Sequence, residues 1–489
     1  MSITLGLDLA TASARCVALD TETGALLASA EERLPQPVRT AGGVSRQRST
    51  YAAVAHSLLA QVCRVLGSAA NGVAALSVTG TSGTVVPCGL DGTAIGDARL
   101  YDDTSSAAQV AQLDLALASS LARMLSLHRE LQPALLLSTA DVVAASLVGA
   151  AVAADTSHHL KAGIDLEERR WPTAAMTQLG LPTDHLPDLV PPGAVLGVVS
   201  PAVASGLGLP AGVRVVAGMT DGCTAQLGAG AVRPSDSLGV LGTTLVLKAV
   251  STANLTAPGG GLYSHLSPAG DYWPGGASNS GAGVLAAQFP GRHLAELDRA
   301  AAARGPSSIV RYPLSRPGER FPVADPALPS LSSGEPVDDI DAYRAVLDGV
   351  AFVERLGLET LGRSGVTHRR HALAGGAARS TVWNTIRSTV LGPVVPQVVH
   401  AHGASSASGA AVLAAYALDR EAAGDRASLA DTVARLVPTP VPVPADPAEA
   451  DRLEESYGRF RSLLADRTPP APAMSAVPAP SPEWRSHHA

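Results

Sequence analysis

Two aspartates, Asp8 and Asp221, stand in or shortly after short apolar runs, where a carboxylate can serve as a base or a metal ligand. The run 215–217 ends in Gly218, and Asp221 then opens a small-residue segment. We predict that segment to be a helix of about three turns. An order of strand, turn and helix places a carboxylate beyond a strand end, where an open α/β sheet binds its ligands. Asp221 is therefore a candidate general base.

A turn of one glycine and two hydroxyl residues, Gly242, Thr243 and Thr244, joins the apolar runs 238–241 and 245–248. Backbone N–H groups of such a turn approach an anion closely, because glycine has no side chain and threonine has a small one. We therefore predict a phosphate-binding hairpin here.

The N-terminal segment repeats this arrangement. Residues 3–9 form an apolar run that carries Asp8, residues 10–15 form a turn, and residues 16–19 form the return strand. Two such units, each opening one half of the chain, predict an internal duplication with a cleft between the halves. Two ordinary hairpins are the alternative.

Two further glycine-containing loops follow expected strands. The loop 79–84 comes after the strand 73–78 and leads towards Asp102 and Asp103, a place to hold sugar hydroxyls. The loop that begins at 374 follows a strand at 371–373, and its glycine pair lets a nucleotide base or ribose lie against the backbone. A plain connection is the alternative for the first loop, and a glycine pair is a weak signal by itself.

The length and composition indicate a two-domain α/β enzyme. A chain of 489 residues exceeds one compact core, so two domains of roughly 200 residues each are expected. Hydrophobic residues make up 46% and charged residues 16%, with 48 glycines for tight turns. The net charge of −7 argues against nucleic acid as a partner, since phosphate backbones are bound by clustered Lys and Arg.

The cysteine pattern and the N-terminus predict a cytoplasmic protein. No pair of the four cysteines has CxxC spacing, which argues against a disulfide framework and a zinc site. The N-terminus lacks the basic segment of a secretory signal, and the apolar stretch 142–154 is too short to span a bilayer. We expect no membrane partner. The oligomeric state is left open, with a homodimer as one alternative.

Apolar spacing and turn residues give a coarse element map. Helices are predicted at 51–66, within 105–148, at 342–361, from 382 and at 404–418. Residues 25–47 and 273–281 read as irregular segments, and 467–489 as a disordered Pro- and Ala-rich tail. His158 and His159 are adjacent and point apart, so we expect a partly exposed loop and no metal pair.

An ordered series of motifs resembles the FGGY carbohydrate kinases of the actin-like ATPase superfamily. The motifs are GLDLATASAR, TGTSGTVV, RLYDD, GMTDGCTAQLGAGA, LGTTLVLK, GGASNSG and LAGGAARSTVWN, within residues 1 to 420. The resemblance implies an α/β fold of two RNase H-like domains, 1–232 and 233–466, with ATP and sugar meeting in the interdomain cleft. The N-terminal domain would bind the sugar and the C-terminal domain the nucleotide.

The same resemblance implies roles for individual residues. Asp221 would be the catalytic base, and Asp8 would help hold Mg²⁺. Residues that would bind ATP and its phosphates are Thr11, Ser13, Arg15, Gly242, Thr243, Thr244, Gly375, Gly376 and Asn384. Residues that would bind the sugar are Ser82, Gly83, Asp102 and Asp103.

Some positions depart from the family pattern. Ala10 replaces a usual glycine, so the first turn must avoid a positive φ or accept strain. Ala404 replaces an acidic residue that many relatives have. Ser157, together with His158 and His159, falls where ribulose kinases tend to have Asn, within a segment that keeps their Asp and Leu-Lys.

The motifs most resemble those of D-ribulose kinases. We therefore expect an enzyme that transfers the γ-phosphoryl group of ATP, with Mg²⁺, to the terminal hydroxyl of D-ribulose, giving D-ribulose 5-phosphate. A D-xylulose or pentitol kinase is the alternative within the family. An alternative of another class is a non-catalytic, actin-like ATP-binding sensor module.

Overall fold

A computed structural model describes residues 1–111, 113, 117–257, 261–400 and 405–466. They fall into two compact units. Unit 1 comprises Met1–Gly230, His265–Gly270 and Ser405–Pro438, and unit 2 comprises the rest of the described chain. The segment 405–438, which the sequence division gave to the C-terminal domain, thus belongs to unit 1. Ala404 and the tail 467–489 lie outside the described residues.

The strands up to residue 216 are β1 (Ile3–Leu9), β2 (Ser13–Asp20), β3 (Leu26–Arg33), β4 (Val38–Arg39), β5 (Val44–Arg46), β6 (Val73–Gly80), β7 (Val86–Cys88), β8 (Ala98–Arg99), β9 (Leu135–Leu137), β10 (Ala154–Asp155), β11 (Leu189–Val190), β12 (Val195–Val198) and β13 (Arg214–Val216). The later strands are β14 (Asp236–Leu241), β15 (Leu245–Ala249), β16 (Tyr263–Leu266), β17 (Tyr272–Ser278), β18 (Arg311–Tyr312), β19 (Leu331–Ser332), β20 (Arg370–Ala374), β21 (Gln397–Val399) and β22 (Val441–Pro442).

The helices up to residue 228 are α1 (Thr50–Leu66), α2 (Ser119–Leu131), α3 (Thr139–Val148), α4 (Thr156–His159), α5 (Thr173–Leu179), α6 (Pro201–Leu207) and α7 (Asp221–Gly228). The later helices are α8 (Gly283–Gln288), α9 (Leu294–Arg304), α10 (Asp339–Arg363), α11 (Thr381–Leu391), α12 (Ser406–Ala423), α13 (Leu429–Leu436) and α14 (Pro447–Ala465).

The two main sheets have the same internal order, which confirms the predicted duplication. In unit 1 the strands run β12-β13-β6-β1-β2-β3, with β1, β6 and β13 parallel and β2 and β3 antiparallel to their neighbours. In unit 2 the run β17-β15-β14-β20-β21 repeats this pattern of an antiparallel meander beside parallel strands. The mixed α/β fold of two similar domains is as predicted.

Helix α12 packs closely on α7 and β1 within unit 1. A Cβ added to Gly409 would lie 1.7 Å from the Thr224 carbonyl oxygen, and one added to Gly6 would lie 1.9 Å from that of Ala407. Backbones can approach this closely only where no side chain intervenes. The Ser406 hydroxyl also donates to the backbone carbonyl of Asp221 at 3.0 Å. Small residues therefore set the position of α7 and its first residue.

A buried ionic network lies in the core of unit 2. Glu354, Arg387 and His371 are fully buried, and Glu354 Oε1 lies 2.6 Å from Arg387 Nη2 and 3.0 Å from His371 Nε2. Burial alone would raise the pKa of Glu354, but Arg387 and His371 bring it down to about 2. The carboxylate therefore stays ionised inside the sheet layer, where it ties α10 to α11 and β20.

Helix α1 and the 3₁₀ turn after it, together Thr50–Gly72, are long and apolar enough by length and composition to cross a membrane. One face of this helix, including Val54, Leu58 and Val62, is buried in the hydrophobic core of unit 1. Packing in a protein core explains its apolar character, so we draw no membrane inference from it.

Several predicted elements differ from the structure. Residues 26–33 form β3 rather than an irregular segment, and 272–278 form β17 rather than a loop. The helix at Asp221 ends at Gly228, shorter than predicted. His158 and His159 lie in α4 with 2% exposure each, so the expectation of an exposed loop is wrong.

Candidate active site

The two candidate carboxylates lie at or beyond the ends of β1 and β13, parallel strands of unit 1 on either side of β6. In the register of β1 with β6, Asp8 pairs with Thr79 and Leu9 with Gly80. Gly80 forms a further parallel bridge with Thr220, the residue before Asp221. Because the carboxyl ends of parallel strands meet at one sheet edge, Asp8 and Asp221 belong to the same edge. The prediction that Asp221 opens a helix beyond a strand end is confirmed.

The Asp8 carboxyl is held in surroundings that oppose its negative charge. Its Oδ1 atom is shielded from solvent and has no hydrogen-bond partner in the described part of the chain. Burial, followed by the charge of Asp221, raises the pKa of Asp8 to about 7, although Arg15 acts in the opposite direction. A cation near Asp8 would relieve both effects.

Asp8 fits as a ligand of a magnesium ion whose other ligands are waters and substrate phosphates. Over the described ranges, no group of three His, Cys, Asp or Glu side chains is placed to hold a metal alone. Mg²⁺ is usually bound by one or two carboxylates together with waters and substrate phosphates. The bare Oδ1 of Asp8 supplies a hard oxygen donor of that type.

The first hairpin turn is held by an arginine that the sequence patterns did not single out. Buried Arg46 donates from Nη2 to the Thr11 carbonyl oxygen at 2.7 Å. Ser13 and Arg15 belong to β2 rather than to the turn, and Arg15 forms an exposed 2.7 Å ion pair with Glu31. The non-glycine residues with positive φ in the described ranges do not include Ala10, so the turn accepts alanine without left-handed backbone.

The predicted sugar-side residues are joined by buried Arg123. Its Nε donates to the Gly83 carbonyl at 2.7 Å and its Nη1 to the Asp103 carbonyl at 3.0 Å. Asp103 is itself occupied, because its carboxylate accepts from Val44 N at 2.7 Å and from Ser105. By these contacts Asp103 shapes the loop, and its carboxylate is already paired.

Ser82 and Asp102, by contrast, keep polar atoms available. Ser82 Oγ and Asp102 Oδ1 are shielded from solvent and have no hydrogen-bond partner among the residues described. The other oxygen of Asp102 pairs with Arg39 at 2.9 Å. A buried polar atom without a partner costs free energy unless a ligand or water satisfies it. These two residues are therefore better placed than Asp103 for a polar ligand.

In unit 2 the second hairpin turn and the glycine pair lie at the ends of adjacent parallel strands. Gly242, Thr243 and Thr244 follow β14, and the glycine pair follows β20, which is parallel to β14. An added Cβ at Gly242 would find its nearest atom 4.0 Å away, so packing alone does not demand glycine there. Room beside the turn is what an approaching anion needs.

The two glycines of the pair have different surroundings. Gly375 has φ +89°, and a Cβ there would lie 2.4 Å from the Leu241 carbonyl oxygen. Gly376 has open space where its Cβ would be. Asn384 donates to the Ala378 carbonyl at 2.7 Å, and its shielded Oδ1 lacks a partner in the described chain. Gly376 and Asn384 together leave space and an acceptor for a ligand.

Sequence motifs did not identify Arg46 or Arg123. Each arginine lies in a segment without a recognisable motif, and only its burial with main-chain partners reveals its part. For the helix that carries His158 the sequence did offer a signal, because Asp155, the residue before α4, is of a type that caps helices.

Comparison with known proteins decides the family. The model of the FGGY carbohydrate kinase N-terminal domain matches residues 127–228, and that of the C-terminal domain matches residues 238–418. Together these matches cover more than half of the chain. The chain belongs to the FGGY family of carbohydrate kinases.

The curated relatives include xylulose kinases and autoinducer-2 kinases. The xylulose kinase of Escherichia coli K12 is 28% identical over 236 residues, which are 47% of this chain and 49% of that protein. The autoinducer-2 kinase of Enterobacter sp. strain 638 is 30% identical over 314 residues, which are 58% of each chain. The chain thus matches about half the length of these FGGY relatives.

A solved structure shows the shared fold over the full length. The xyloylose kinase from Brucella ovis has a TM-score of 0.84 and 23% sequence identity, covering 95% of this chain and 99% of that chain. The actin-like two-domain α/β architecture expected for an FGGY protein is therefore confirmed.

The burial of Asp8 makes a testable prediction about stability. In the unfolded chain the carboxyl has a pKa of 3.8, and in the folded protein it is about 7. Between these values the unfolded state loses its proton first, so the free energy of unfolding falls as pH rises. We expect Asp8→Asn to raise the Tm at pH 7.5 without Mg²⁺ by a few °C, at about 2–4 °C per kcal/mol.

Asp20→Asn is the matched control for Asp8→Asn. The Asp20 carboxylate accepts hydrogen bonds from the backbone N–H and the hydroxyl of Thr23 and from the backbone N–H of Glu22, and these bonds lower its pKa. Its replacement should lower the Tm. Calorimetry of both variants measures the change in Tm of each. A lower Tm for Asp8→Asn would show that the Asp8 charge does not destabilise the folded protein.

The glycine pair makes a second prediction. Gly376→Ala should fold normally, because its Cβ enters open space, but should weaken ATP binding about 5- to 150-fold, the range for 1–3 kcal/mol of overpacking. Gly375→Ala is the control and should lose about 1–3 kcal/mol of stability through its backbone conformation. Titration calorimetry with ATP and thermal unfolding separate these results. Unchanged ATP affinity in Gly376→Ala would remove this position from the nucleotide site.

Proposed function

We propose that this protein is an ATP-dependent carbohydrate kinase that phosphorylates the terminal hydroxyl of a pentulose. The observation that carries the proposal is the pair Asp8 and Asp221 at one sheet edge of unit 1. Asp8 is suited to bind a cation and Asp221 to act as a general base, and the chain belongs to the FGGY family.

Asp221 is the proposed general base. Its carboxylate takes the proton of the sugar hydroxyl while the hydroxyl oxygen bonds to the γ-phosphorus of ATP and the bond to the β-phosphate oxygen breaks. ADP leaves, and the proton stays on Asp221 until solvent removes it. Phosphoryl transfer asks little covalent work of the protein, so positioning and charge stabilisation account for most of the catalysis.

Asp8 is the proposed ligand for Mg²⁺, with Thr11, Ser13 and Arg15 in the first hairpin and residues 242–244 in the second as phosphate contacts. The ion, when bound, supplies positive charge against the phosphate oxygens. The raised pKa of Asp8 supports this role, because binding a cation would favour its ionised form.

The acceptor we propose first is D-ribulose. The segments TGTSGTVV and RLYDD, with Asp155 and Lys161 retained, resemble those of D-ribulose kinases. The free polar atoms of Ser82 and Asp102 in these segments support a polyhydroxylated ligand. D-Xylulose is the second candidate, because a named relative in the family is a xylulose kinase.

A non-catalytic ATP-binding sensor is the alternative of another class. Its support is Ala10, where the family usually has glycine, and Ala404, where many relatives have an acidic residue and which lies outside the described residues. A binding module has no need of a base beside its metal ligand, so the retention of Asp8 and Asp221 favours catalysis. ATP turnover that depends on added pentulose would distinguish the enzyme from the sensor.

We also propose a cytoplasmic setting. The four cysteines, Cys16, Cys63, Cys88 and Cys223, are all free thiols and all buried. Unpaired cysteines are typical of a reducing compartment.

Asp221→Asn tests the mechanism. Asn keeps the shape of the side chain but cannot accept the proton, so kcat for pentulose phosphorylation should fall by on the order of 10² or more while ATP still binds. Coupled measurement of ADP release gives kcat, and titration calorimetry gives the ATP affinity. Asp8→Ala is the companion variant, and its activity should require more Mg²⁺. A wild-type kcat in folded Asp221→Asn would refute the role of Asp221 as a base.

A panel of acceptors tests the substrate. We expect kcat/KM to be highest for D-ribulose, with D-xylulose and the pentitols lower, because polar groups that pair one hydroxyl configuration are left unpaired by its epimer. D-Glucose and glycerol serve as controls for general kinase activity. A higher kcat/KM for D-xylulose would reverse the order of the two candidates and leave the kinase assignment standing.

A further inference from the structure

The short helix α4 carries a histidine that is fixed on one side only. Asp155 caps the helix, its Oδ1 accepting from the backbone N–H of His158 at 2.8 Å. Its Oδ2 lies 2.6 Å from Nδ1 of the same ring. One carboxylate thus fixes both the main chain and the imidazole of His158, whose side chain is fully buried.

The other ring nitrogen is left without a partner. His158 Nε2 is shielded from solvent and makes no hydrogen bond to any described residue. Its neighbour His159, equally buried, is satisfied: Nε2 lies 2.7 Å from Asp141 Oδ2, and the ring packs edge-on against Trp171 at 5.0 Å. Buried polar atoms are nearly always paired, so an unpaired one in a fixed ring calls for an explanation.

The position of α4 in unit 1 connects His158 with the candidate active site. Ser157 Oγ accepts a 3.1 Å hydrogen bond from the backbone N–H of Thr220, the residue directly before Asp221. Lys161, in the turn after α4, comes within 3.4 Å of a Cβ built on Gly83 in the sugar-side loop. Burial lowers the pKa of His158, but the charges of Asp155, Asp141 and, last, Asp221 outweigh it and leave the pKa raised.

We propose that His158 is a specificity-determining residue whose Nε2 hydrogen-bonds a secondary hydroxyl of the pentulose, with Asp155 as the residue that positions the ring. The inference rests on the proposed kinase function and extends it to one contact. A hydroxyl suits this nitrogen in either state of the ring, because it donates to a neutral Nε2 and accepts from a protonated one.

The consequence is discrimination between epimers. D-Ribulose and D-xylulose differ in the configuration of one secondary hydroxyl, so a fixed nitrogen that pairs with one leaves the other unpaired. Sites built to hydrogen-bond a substrate hydroxyl reject an analogue that cannot pair by large factors. Removal of Nε2 should therefore bring the two kcat/KM values together.

The test uses two variants of His158 and one of its neighbour in the full chain. His158→Asn keeps an amide near Nδ1 for Asp155 but has no atom at Nε2, and His158→Gln places an amide near Nε2. We expect the kcat/KM ratio between D-ribulose and D-xylulose to fall about tenfold or more in His158→Asn, with KM for ATP unchanged. His158→Gln should recover part of the ratio.

His159→Asn is the matched control, because it disturbs a buried histidine–carboxylate pair that is already satisfied. It should lower the Tm and leave the acceptor ratio at the wild-type value. An unchanged ratio in folded His158→Asn, or an equal fall in His159→Asn, would overturn the inference while pentulose phosphorylation by the wild type still supports the kinase. Absence of pentulose phosphorylation by the wild type would overturn both.

Direct observation of the ring covers the case in which His158→Asn does not fold. Wild-type protein labelled with ¹⁵N-histidine is titrated with D-ribulose and, separately, with D-xylulose, and the His158 signal is assigned by comparison with His158→Gln. A change in the Nε2 shift with one pentulose and a smaller change with the other supports the contact. No change with either sugar contradicts it.

Discussion

The burial of the Asp8 carboxyl, beside a second carboxylate at the same sheet edge, is the constraint on which the site depends. The register of the parallel strands β1 and β6, together with the bridge from Gly80 to Thr220, places Asp8 and Asp221 at this edge. Burial and this second negative charge raise the pKa of Asp8 to about 7, so a nearby cation would favour its ionised form at neutral pH. The same burial that destabilises the ionised carboxyl is what makes Asp8 suitable for the proposed role of Mg²⁺ ligand.

Hydroxyls and small residues hold this edge in place. Thr79 Oγ1 donates to the Met219 carbonyl at 2.6 Å and lies 2.9 Å from Thr224 Oγ1, which ties β6 to the start of α7. From the other side, the close approach of Gly409 to Thr224 and the bond from Ser406 to Asp221 fix α7 against α12. The main chain that carries Asp221 is therefore set by short polar contacts, which tolerate a charged residue nearby better than a hydrophobic wall would.

The sequence was sufficient to predict strands built mainly from large apolar residues. It was insufficient where small or polar residues form the strand. Strands β1 and β14 are rich in buried leucine, isoleucine or valine, so their apolar character was visible in the sequence. Strand β3, at a sheet edge, has three small residues followed by three charged ones, and β17 contains proline, two glycines and serine, which resemble loop residues. Motifs placed Asp221 correctly at a helix start. They could not show which loop residues are paired, as Asp103 is, because such partners come from distant segments.

Because the two units share one strand order, the side chains of their first hairpins can be compared position by position. In both, the strands are joined by three-residue turns, 10–12 after β1 and 242–244 after β14. The cross-strand pair before the last one is Asp8 with Arg15 in unit 1 and Val240 with Val246 in unit 2. A valine pair offers a ligand no side-chain charge, so the second hairpin has mainly its backbone N–H groups and threonine hydroxyls for an anion. Under the proposed function, this difference at one register position gives the first hairpin both a cation ligand and phosphate contacts and leaves the second hairpin with phosphate contacts alone.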